Sequence, residues 1–522
     1  MRGGKTPKYK PVVCNDKMTF QECELAVLRQ AVDESEKRQG AKVATSPDVQ
    51  QIIQILEEFL VRKKLICYGG TAINNILPKE AQFYNRETEV PDYDFYSANA
   101  MEDARELANI YYKEGYDEVE AKSGVHVGTF KVYVHFLPIA DITQLHPTLY
   151  ERLMPETITI AGIKYAPPNY LRMSMYLELS RPSGDVSRWE KVLKRLTLLN
   201  KYYPLATDKI KCDAIDFQRG LGIKTNQGKE ESIYYLTRDS FIDQGVVFLG
   251  GYGTALYSKY MENDLMRRQV EKIPDFDVLS DNPEKCAAIV RDKLSDAGFK
   301  NIKIILHTPL GEVIPVHTEI SMNGDIIALI YKPIACHSYN KIEVGGKQVL
   351  IATIDTMLSF YLAFLYADKT YFDKDRMLCM ASYLFEVEQK NKLEQKGLLK
   401  RFSLDCYGKQ PTMEEMRAEK ANKYRELKRS KDPNDQKEFE MWFFKYNPAV
   451  VPGLRKFDMK DSHIKAKIPS KTITLEEEMS SQKTRRSKLG RRKNRYSRKK
   501  IPRETDGPYA KRTFYFGKKK RA

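Results

Sequence analysis

The chain has 522 residues, more than one hydrophobic core usually holds, so two or three domains are expected. Its formal net charge is +17, yet residues 483–522 hold 18 Lys and Arg against two acids, so the rest of the chain is close to neutral. The N-terminal residues lack the apolar run of a signal peptide and no stretch approaches ~18 uninterrupted apolar residues, so we expect neither a secretory leader nor a membrane span.

The first 150 residues alternate between helix and strand patterns. Ser46 can cap a helix that starts at Pro47 and runs to residue 63, with an apolar stripe that includes Ile52, Leu56 and Phe59. Further segments are predicted as helices over 20–38 and 101–114, and as strands over 65–68, 92–96, 132–136 and 139–142. This mixture predicts an α/β or α+β architecture.

The eight cysteines are scattered along the chain, and no two have the spacing of a CxxC zinc or redox motif. This pattern predicts buried free thiols in a reducing compartment. They are Cys14, Cys23, Cys67, Cys212, Cys286, Cys336, Cys379 and Cys406.

The chain repeats itself in its second half. The matched segments are Gly70-Thr71-Ala72 with Gly253-Thr254-Ala255, Pro91-Asp92-Tyr93-Asp94 with Pro274-Asp275-Phe276-Asp277, and Asp141-Ile142-Thr143 with Glu319-Ile320-Ser321. Chance rarely supplies such segments in the same order and spacing, which indicates a duplicated domain. In this alignment Tyr252 replaces Gly69 and Glu319 replaces Asp141, so the second copy is degenerate. It keeps Asp275 and Asp277, which leaves residual metal binding open beside the favoured structural or RNA-supporting role.

A pair of carboxylates carries the chemistry of the first copy. Asp92 and Asp94 lie two residues apart on a predicted strand, so their side chains share one face. Because adjacent carboxylates repel each other, a divalent cation between them is expected, and oxygen ligands favour Mg²⁺ or Mn²⁺. Asp141, on a neighbouring strand, is the candidate for the third carboxylate of a two-metal site.

A glycine-rich turn precedes these carboxylates by about 20 residues. Gly69 and Gly70 let the backbone approach a phosphate, and the amides of the helix that follows favour anions. The Thr71 hydroxyl can add a hydrogen bond to a triphosphate. Each signal is weak alone, but in this order they indicate nucleotidyl transfer.

The glycine turn with Asp92, Asp94 and Asp141 resembles the signature of the DNA polymerase-β-type nucleotidyltransferases. The stretches FQECELAVLRQAV, CYGGTAINNILP, PDYDFYS and LRMSMYLELSRPSGDVSRWEKVLKRL resemble the poly(A) polymerase catalytic subunits of poxviruses and other large cytoplasmic DNA viruses. The resemblance covers residues 19–200 and extends to about residue 390. It implies ATP and an RNA 3′ end as substrates, Mg²⁺ or Mn²⁺ as cofactor, the three aspartates as metal ligands, and a degenerate second copy.

The same resemblance implies a cytoplasmic location in viral factories, with the virion as a second location and no membrane partner. Processivity would come from a homodimer or from a separate subunit.

Further candidate contacts to the nucleotide have ordinary structural alternatives. Asn74 either touches the ribose or caps its helix, and Tyr170 either stacks on adenine or packs in the core. Arg172, Lys191 and Lys194 either contact phosphates or form a solvated helix face. The neighbouring Arg188 and Arg195 carry the same two alternatives.

We therefore expect an α+β fold with two tandem nucleotidyltransferase-like domains, each a mixed sheet flanked by helices. The expected boundaries are 1–205 for the catalytic domain, 206–390 for the degenerate copy, 391–465 for a charged helical extension and 466–522 for a disordered basic tail. The tail is predicted to bind RNA, with nuclear import or membrane-surface binding as alternatives. Its candidate RNA contacts are Arg485, Arg486, Arg491, Arg492 and Arg495.

The leading functional hypothesis is a template-independent polyadenylating enzyme. One alternative keeps the site and changes the substrate, giving a uridylyl-, tRNA- or oligoadenylate-type transferase. The other is a non-catalytic RNA-binding structural protein on an inactive transferase fold.

Overall fold

The computed structural model of the chain describes residues 14–15, 17–205, 207, 210–219, 229–260, 274–391 and 394–454. The five tail arginines from Arg485 to Arg495 lie outside the described residues, so their RNA-binding role stays a prediction.

The first half of the chain carries seven strands and the helices around them. The helices are α1 (Phe20–Ala44), α2 (Pro47–Lys63), α3 (Gly69–Ile76), α4 (Ala100–Lys113), α5 (Pro147–Leu153), α6 (Pro168–Leu179) and α7 (Trp189–Tyr202). The strands are β1 (Ile66–Tyr68), β2 (Tyr93–Ser97), β3 (Val119–Ser123), β4 (Thr129–Val134), β5 (Leu137–Gln144), β6 (Ile158–Ile160) and β7 (Ile163–Tyr165).

The second half repeats this alternation and ends in an extension. The helices are α8 (Glu230–Asp243), α9 (Gly250–Leu256), α10 (Pro283–Asp296), α11 (Ile354–Phe364), α12 (Lys374–Lys390), α13 (Met413–Leu427) and α14 (Pro433–Phe443). The strands are β8 (Val247–Leu249), β9 (Phe276–Leu279), β10 (Ile302–His307), β11 (His317–Met322), β12 (Asp325–Tyr331), β13 (His337–Val344), β14 (Lys347–Ala352), β15 (Cys406–Tyr407) and β16 (Lys445–Tyr446).

Local sequence explains the helix ends closest to the site. Pro47 occupies the first turn of α2, and Ile52, Leu56 and Leu60 on its apolar stripe are buried. The side chain of Thr19 caps α1 in a reciprocal arrangement with Glu22. None of the helices in the described part of the chain is long and apolar enough to cross a membrane.

Two mixed eight-stranded sheets flanked by helices form the α+β fold. The orders are β16-β3-β4-β5-β2-β1-β7-β6 and β10-β11-β12-β9-β8-β14-β13-β15. Seven consecutive strands of each sheet follow the same order. Helices α6 and α11 pack against each other between the two halves. In the first sheet the extra edge strand is β16, which comes from the C-terminal extension and pairs with β3.

The register of the strands also repeats. In the first sheet Lys131 on β4 lies opposite Asp141, and the ladder shifts between Val132 and Tyr133. In the second sheet Glu319 on β11 lies opposite Leu329, and the ladder shifts between Ile320 and Ser321. A β-bulge therefore occurs at the same place in both sheets, which aligns β4 with β11 and β5 with β12.

This register corrects the alignment of the two copies. Asp94 lies opposite Tyr68, and Asp277 lies opposite Leu249, so Gly69 corresponds to Gly250 rather than to Tyr252. The spacing misled the comparison because the segment between glycine turn and carboxylates is two residues longer in the second copy.

The third carboxylate was also misplaced by sequence spacing. On β12 the residue opposite Asp277 is Leu329, which is buried, whereas Asp141 lies opposite Asp94 in the first copy. Glu319 therefore corresponds to Lys131, one strand farther from the aspartate pair. The second copy has lost the third carboxylate outright.

The prediction of free thiols was wrong for six cysteines. They form the disulfides Cys14–Cys23, Cys212–Cys379 and Cys336–Cys406, while Cys67 and Cys286 are free and buried. The second and third bonds join residues 167 and 70 positions apart, so only the folded chain brings these sulfur atoms together.

Candidate active site

The turn between β1 and α3 requires glycine. Gly69 has φ +70°, and a Cβ there would lie 2.5 Å from Oδ2 of Asp94. A Cβ at Gly70 would lie 2.7 Å from the Tyr84 hydroxyl and 2.9 Å from Nη1 of Arg195. Any side chain at either position would occupy the space between the backbone and these polar groups.

Two of the predicted carboxylates are direct cross-strand neighbours. Asp94 on β2 lies opposite Asp141 on β5, and Asp92 precedes β2. Burial and then the charges of Asp92 and Asp141 raise the pKa of Asp94 to about 7, although Lys131 and Arg188 act in the opposite direction. Burial, followed by the charge of Asp141, raises the pKa of Asp92. The three residues therefore concentrate negative charge that a cation would stabilise.

Lys131 is the cation that the structure places beside these carboxylates. Its Nζ contacts Oδ2 of Asp141 from the neighbouring strand β4. Among the described residues, no three His, Cys, Asp or Glu side chains are grouped tightly enough to hold a metal ion. Sequence reasoning missed Lys131. The alternation of buried and half-buried residues along β4 would have placed it on the face opposite the core.

Of the basic residues on α7, Lys191 and Arg195 reach the site and Lys194 does not. Lys191 interacts electrostatically with Asp92 and Glu89, and its pKa is lowered by burial and then by Arg195 and Arg188. Arg195 contacts the Tyr84 hydroxyl and stacks over Phe83, 5.0 Å from its centroid. Arg195 therefore lies at the glycine turn.

Lys194, by contrast, pairs with Glu190 one turn away at 2.6 Å, and its side chain is 73% exposed. The structure does not bring it to the glycine turn, and its phosphate-binding role stays a prediction.

Thr71 and Asn74 organise the loop around the turn. The Thr71 hydroxyl donates to the backbone oxygen of Asp92 at 2.5 Å, which ties α3 to the start of β2. Oδ1 of Asn74 accepts the backbone N–H groups of Phe83 and Tyr84, both at 2.8 Å. These contacts position the Phe83–Tyr84 segment, while direct contacts of Thr71 or Asn74 with a nucleotide stay predictions.

Tyr170 and Arg172 lie inside the domain. The Tyr170 ring makes edge contacts with Tyr96 and Tyr366. Arg172 is fully buried and donates to the Asn200 side chain at 2.7 Å, which joins α6 to α7. The structure does not bring either residue to the glycine turn, and their nucleotide-binding roles stay predictions.

The corresponding place in the second copy holds an arginine. Nη2 of Arg219 lies 2.5 Å from Oδ2 of Asp275 and 3.1 Å from Oδ2 of Asp277. The Tyr331 hydroxyl donates to Asp277 at 3.1 Å. Gly250 has φ +62° and approaches Asp277 as Gly69 approaches Asp94. The backbone of the site is retained, and an internal guanidinium neutralises its carboxylates.

Comparisons with known proteins match part of the chain by sequence and most of it by fold. Residues 54–185 match the sequence profile of the family described as poly(A) polymerase catalytic subunit. A protein of African swine fever virus (isolate Tick/Malawi/Lil 20-1/1983), provisionally named poly(A) polymerase catalytic subunit, is 34% identical over 174 residues, which is 32% of this chain and 36% of the relative. A relative of the same name from Acanthamoeba polyphaga mimivirus is 30% identical over 192 residues, which is 36% of this chain and 30% of the relative.

The chain thus spans about a third of the length of the curated relatives it matches. The crystal structure of the Megavirus polyadenylate synthase aligns with a TM-score of 0.66 at 18% identity, covering 83% of this chain and 91% of that one, which shows a shared fold. Residues 54–185 are thus similar in sequence to the poly(A) polymerase catalytic subunits of large DNA viruses.

Proposed function

We propose that the first copy is a template-independent adenylyltransferase that adds AMP from ATP to the 3′ end of RNA, viral mRNA in particular. The observation that carries the proposal is the register of Asp94 opposite Asp141, with Asp92 two residues earlier and the Gly69–Gly70 turn against the Asp94 carboxylate. This arrangement combines a phosphate-binding turn with clustered carboxylates, as nucleotidyl transfer requires.

The incoming nucleotide would bind at the glycine turn. The backbone N–H groups at the start of α3 and the positive charges of Lys191 and Arg195 converge there, next to the half-buried carboxylates. Phosphates held by these groups would place the diphosphate leaving group on the β1 side of the aspartates.

The donor chemistry of the three carboxylates suits divalent cations, although the side chains are not grouped tightly enough here to form a metal site. Their ligand atoms are all oxygens, and burial followed by the charges of Asp92 and Asp141 raises the pKa of Asp94. Asp92 and Asp94 would hold both ions, and Asp141 would complete the one nearer the RNA. When bound, Mg²⁺ or Mn²⁺ lowers the pKa of the attacking 3′-hydroxyl and neutralises the leaving diphosphate.

The remaining parts of the chain would support RNA. We assign residues 1–205 to catalysis, 206–390 to a structural or RNA-supporting copy, 391–465 to the extension and 466–522 to an RNA-binding tail. Arg219 supports an inactive second copy because its guanidinium lies where a cation would bind. A second protomer or a separate subunit would supply processivity.

The test is extension of a labelled short RNA by the full chain, with each NTP separately and with Mg²⁺ or Mn²⁺. We expect long tails from ATP alone and none from the Asp92→Asn/Asp94→Asn variant. The matched control is Asp281→Asn/Asp296→Asn, which removes two exposed carboxylates of the second copy and should extend RNA like the unmodified chain.

Extension with another nucleotide would keep the site and replace the substrate, for example by UTP in a uridylyl-type transferase, whereas short products from ATP alone would indicate an oligoadenylate-type transferase. RNA binding without addition of any nucleotide would make the chain a non-catalytic RNA-binding protein.

A further inference from the structure

One row of residues crosses the first sheet from the carboxylates to its edge. Each member lies directly opposite the next on the neighbouring strand. From β2 to β16 the row reads Asp94, Asp141, Lys131, Lys122 and Lys445. Directly opposed residues share one face of a sheet, so three lysines continue the line that starts at the carboxylates.

The lysines of this row are accessible. Their side chains are 34% exposed at Lys131, 41% at Lys122 and 75% at Lys445. Lys122 and Lys445 share a single carboxylate, Glu120, at 3.0 and 3.4 Å. Like charges directly opposite each other weaken a strand pair, so the alignment of three lysines favours a bound polyanion.

An aromatic ring lies beside this row. Tyr133 occupies the half-buried face of β4, two residues from Lys131, and Nζ of Lys122 lies 4.3 Å from its ring centroid. Lysines interleaved with an aromatic ring are the side chains that bind single-stranded nucleic acid, because they offer phosphate neutralisation and base stacking together.

The direction of the reaction places RNA on this side of the site. In phosphoryl transfer the attacking and leaving oxygens are roughly in line. If the glycine turn binds the phosphates on the β1 side of Asp94, as proposed above, the attacking 3′-hydroxyl must approach from the opposite side, where β5 and β4 lie.

Resting on the function proposed above, we propose that the last nucleotides of a single-stranded RNA primer lie across β4, β3 and β16, with phosphates beside Lys131, Lys122 and Lys445 and a base on the Tyr133 ring. We call these four residues the primer track. Its three strands span roughly 10 Å, which fits a short segment of RNA backbone.

The first test separates the Michaelis constants for RNA and ATP in the extension reaction. Tyr133→Ala should raise KM for RNA by about 5- to 150-fold, the range expected when one base–aromatic stack is removed, and leave KM for ATP unchanged. Tyr133→Phe keeps the ring and should behave like the unmodified chain. Tyr235→Ala is the matched control, because Tyr235 is an exposed ring with Arg238 over it, 4.8 Å away, in the second copy.

The second test measures binding of a labelled RNA ending in a 3′-deoxynucleotide, without NTP, over a range of salt concentrations. Lys122→Gln/Lys445→Gln should weaken binding and reduce the slope of log K against log salt by about 1.4, because each lysine that neutralises a single-strand phosphate contributes about 0.7 to that slope. The double variant Lys347→Gln/Lys293→Gln controls for charge alone, because both lysines pair with Asp243 in the second copy.

The two proposals fail separately. If the unmodified chain extends RNA and neither KM nor salt slope changes in the track variants, the primer track is overturned while the function stands. If no nucleotide is added but binding depends on Tyr133 and the two lysines, the track stands as an RNA site and the polymerase proposal falls.

Discussion

Equivalent positions form a row across each sheet, but the residues in the two rows differ in charge and burial. In the first sheet the row reads Tyr68, Asp94, Asp141, Lys131, Lys122 and Lys445. In the second it reads Leu249, Asp277, Leu329, Glu319 and Ile305. The first row is half-buried or exposed, and every residue in it except Tyr68 is charged. The second row is buried up to Ile305, which is 41% exposed. The backbone, including glycine turn and bulge, is common to both.

This difference shows how a duplicated scaffold can lose a site without losing its shape. The positive charge near Asp275 and Asp277 comes from within the chain, through Arg219, which is only 10% exposed. A buried ion pair of this kind is fixed by the fold and cannot exchange for a ligand. In the first copy the charged side chains of the row are partly exposed, so a ligand can reach them.

The largest expected difference between the copies is catalytic. Asp94→Asn should reduce the rate of RNA extension by at least about 1000-fold, equivalent to about 4 kcal/mol of transition-state stabilisation. The reason is that the variant lacks a carboxylate proposed to bind the divalent cations. Asp277→Asn, its counterpart, should leave the rate unchanged. Comparable losses in both variants would show that the second copy takes part in the chemistry.

The same two substitutions, Asp94→Asn and Asp277→Asn, should affect the stability of the fold differently. The folded chain keeps the Asp94 proton up to about pH 7, whereas an unfolded carboxyl ionises near its ordinary pKa, so metal-free stability falls as pH rises through that interval. Asp94→Asn should remove the contribution of Asp94 and make this fall smaller, which urea unfolding in EDTA at pH 5 and pH 8 would measure. Asp277→Asn should instead lower stability at both values, because it weakens the pair with Arg219.

Removing the internal cation should be the most damaging single change to the fold. Arg219→Met removes the cation that pairs with two buried carboxylates and should lower the free energy of unfolding by about 3–5 kcal/mol. Lys131→Met, the cation of the first copy, should lower it by less than about 1 kcal/mol because Lys131 is partly exposed. Equal effects in denaturant titrations would contradict the contrast between an internal and an accessible cation.

Two of the three disulfides should stabilise the second half of the chain selectively. Cys336–Cys406 joins the residue just before β13 to β15. Cys212–Cys379 joins the segment before α8 to α12. Cys336→Ser/Cys406→Ser should cost about 2–4 kcal/mol, seen as a lower melting temperature, with RNA extension at low temperature retained. Alkylation of the denatured, unreduced chain should label only Cys67 and Cys286, and labelling of all eight cysteines would refute the bonds.

Substitutions at the glycine turns should differ in their effects on stability and on activity. Gly245→Ala, with φ +66° and open space around it, should cost about 1 kcal/mol from backbone strain alone. Gly69→Ala and Gly250→Ala should cost more, because their methyl groups meet Asp94 and Asp277. RNA extension should be lost only in Gly69→Ala, and its retention there would argue against phosphate binding at this turn.

Sequence patterns revealed what depends on near neighbours along the chain. The glycine turn, the Asp92–Asp94 pair and helix α2 follow from local conformational preference and from a period of two or 3.6 residues. Cross-strand neighbours do not, since Lys131, Lys122 and Lys445 come from three strands, one of them more than 300 residues away. The alignment of the second copy was wrong for the same reason. Its segment between glycine turn and carboxylates is two residues longer, so the motif stays recognisable while the residue that aligns with Gly69 changes.

The edge strand β16 is synthesised long after β3, the strand with which it pairs, so the first sheet is completed late. Ser123 on β3 donates to the backbone of Trp442, 319 residues later, just before β16 pairs with β3. A ribosome adding 5–20 residues per second needs roughly 15–60 s to make the intervening chain. Throughout that interval the nascent first sheet presents an open β3 edge, to which other chains can add a strand. The half of the molecule made first is therefore the half whose sheet closes last.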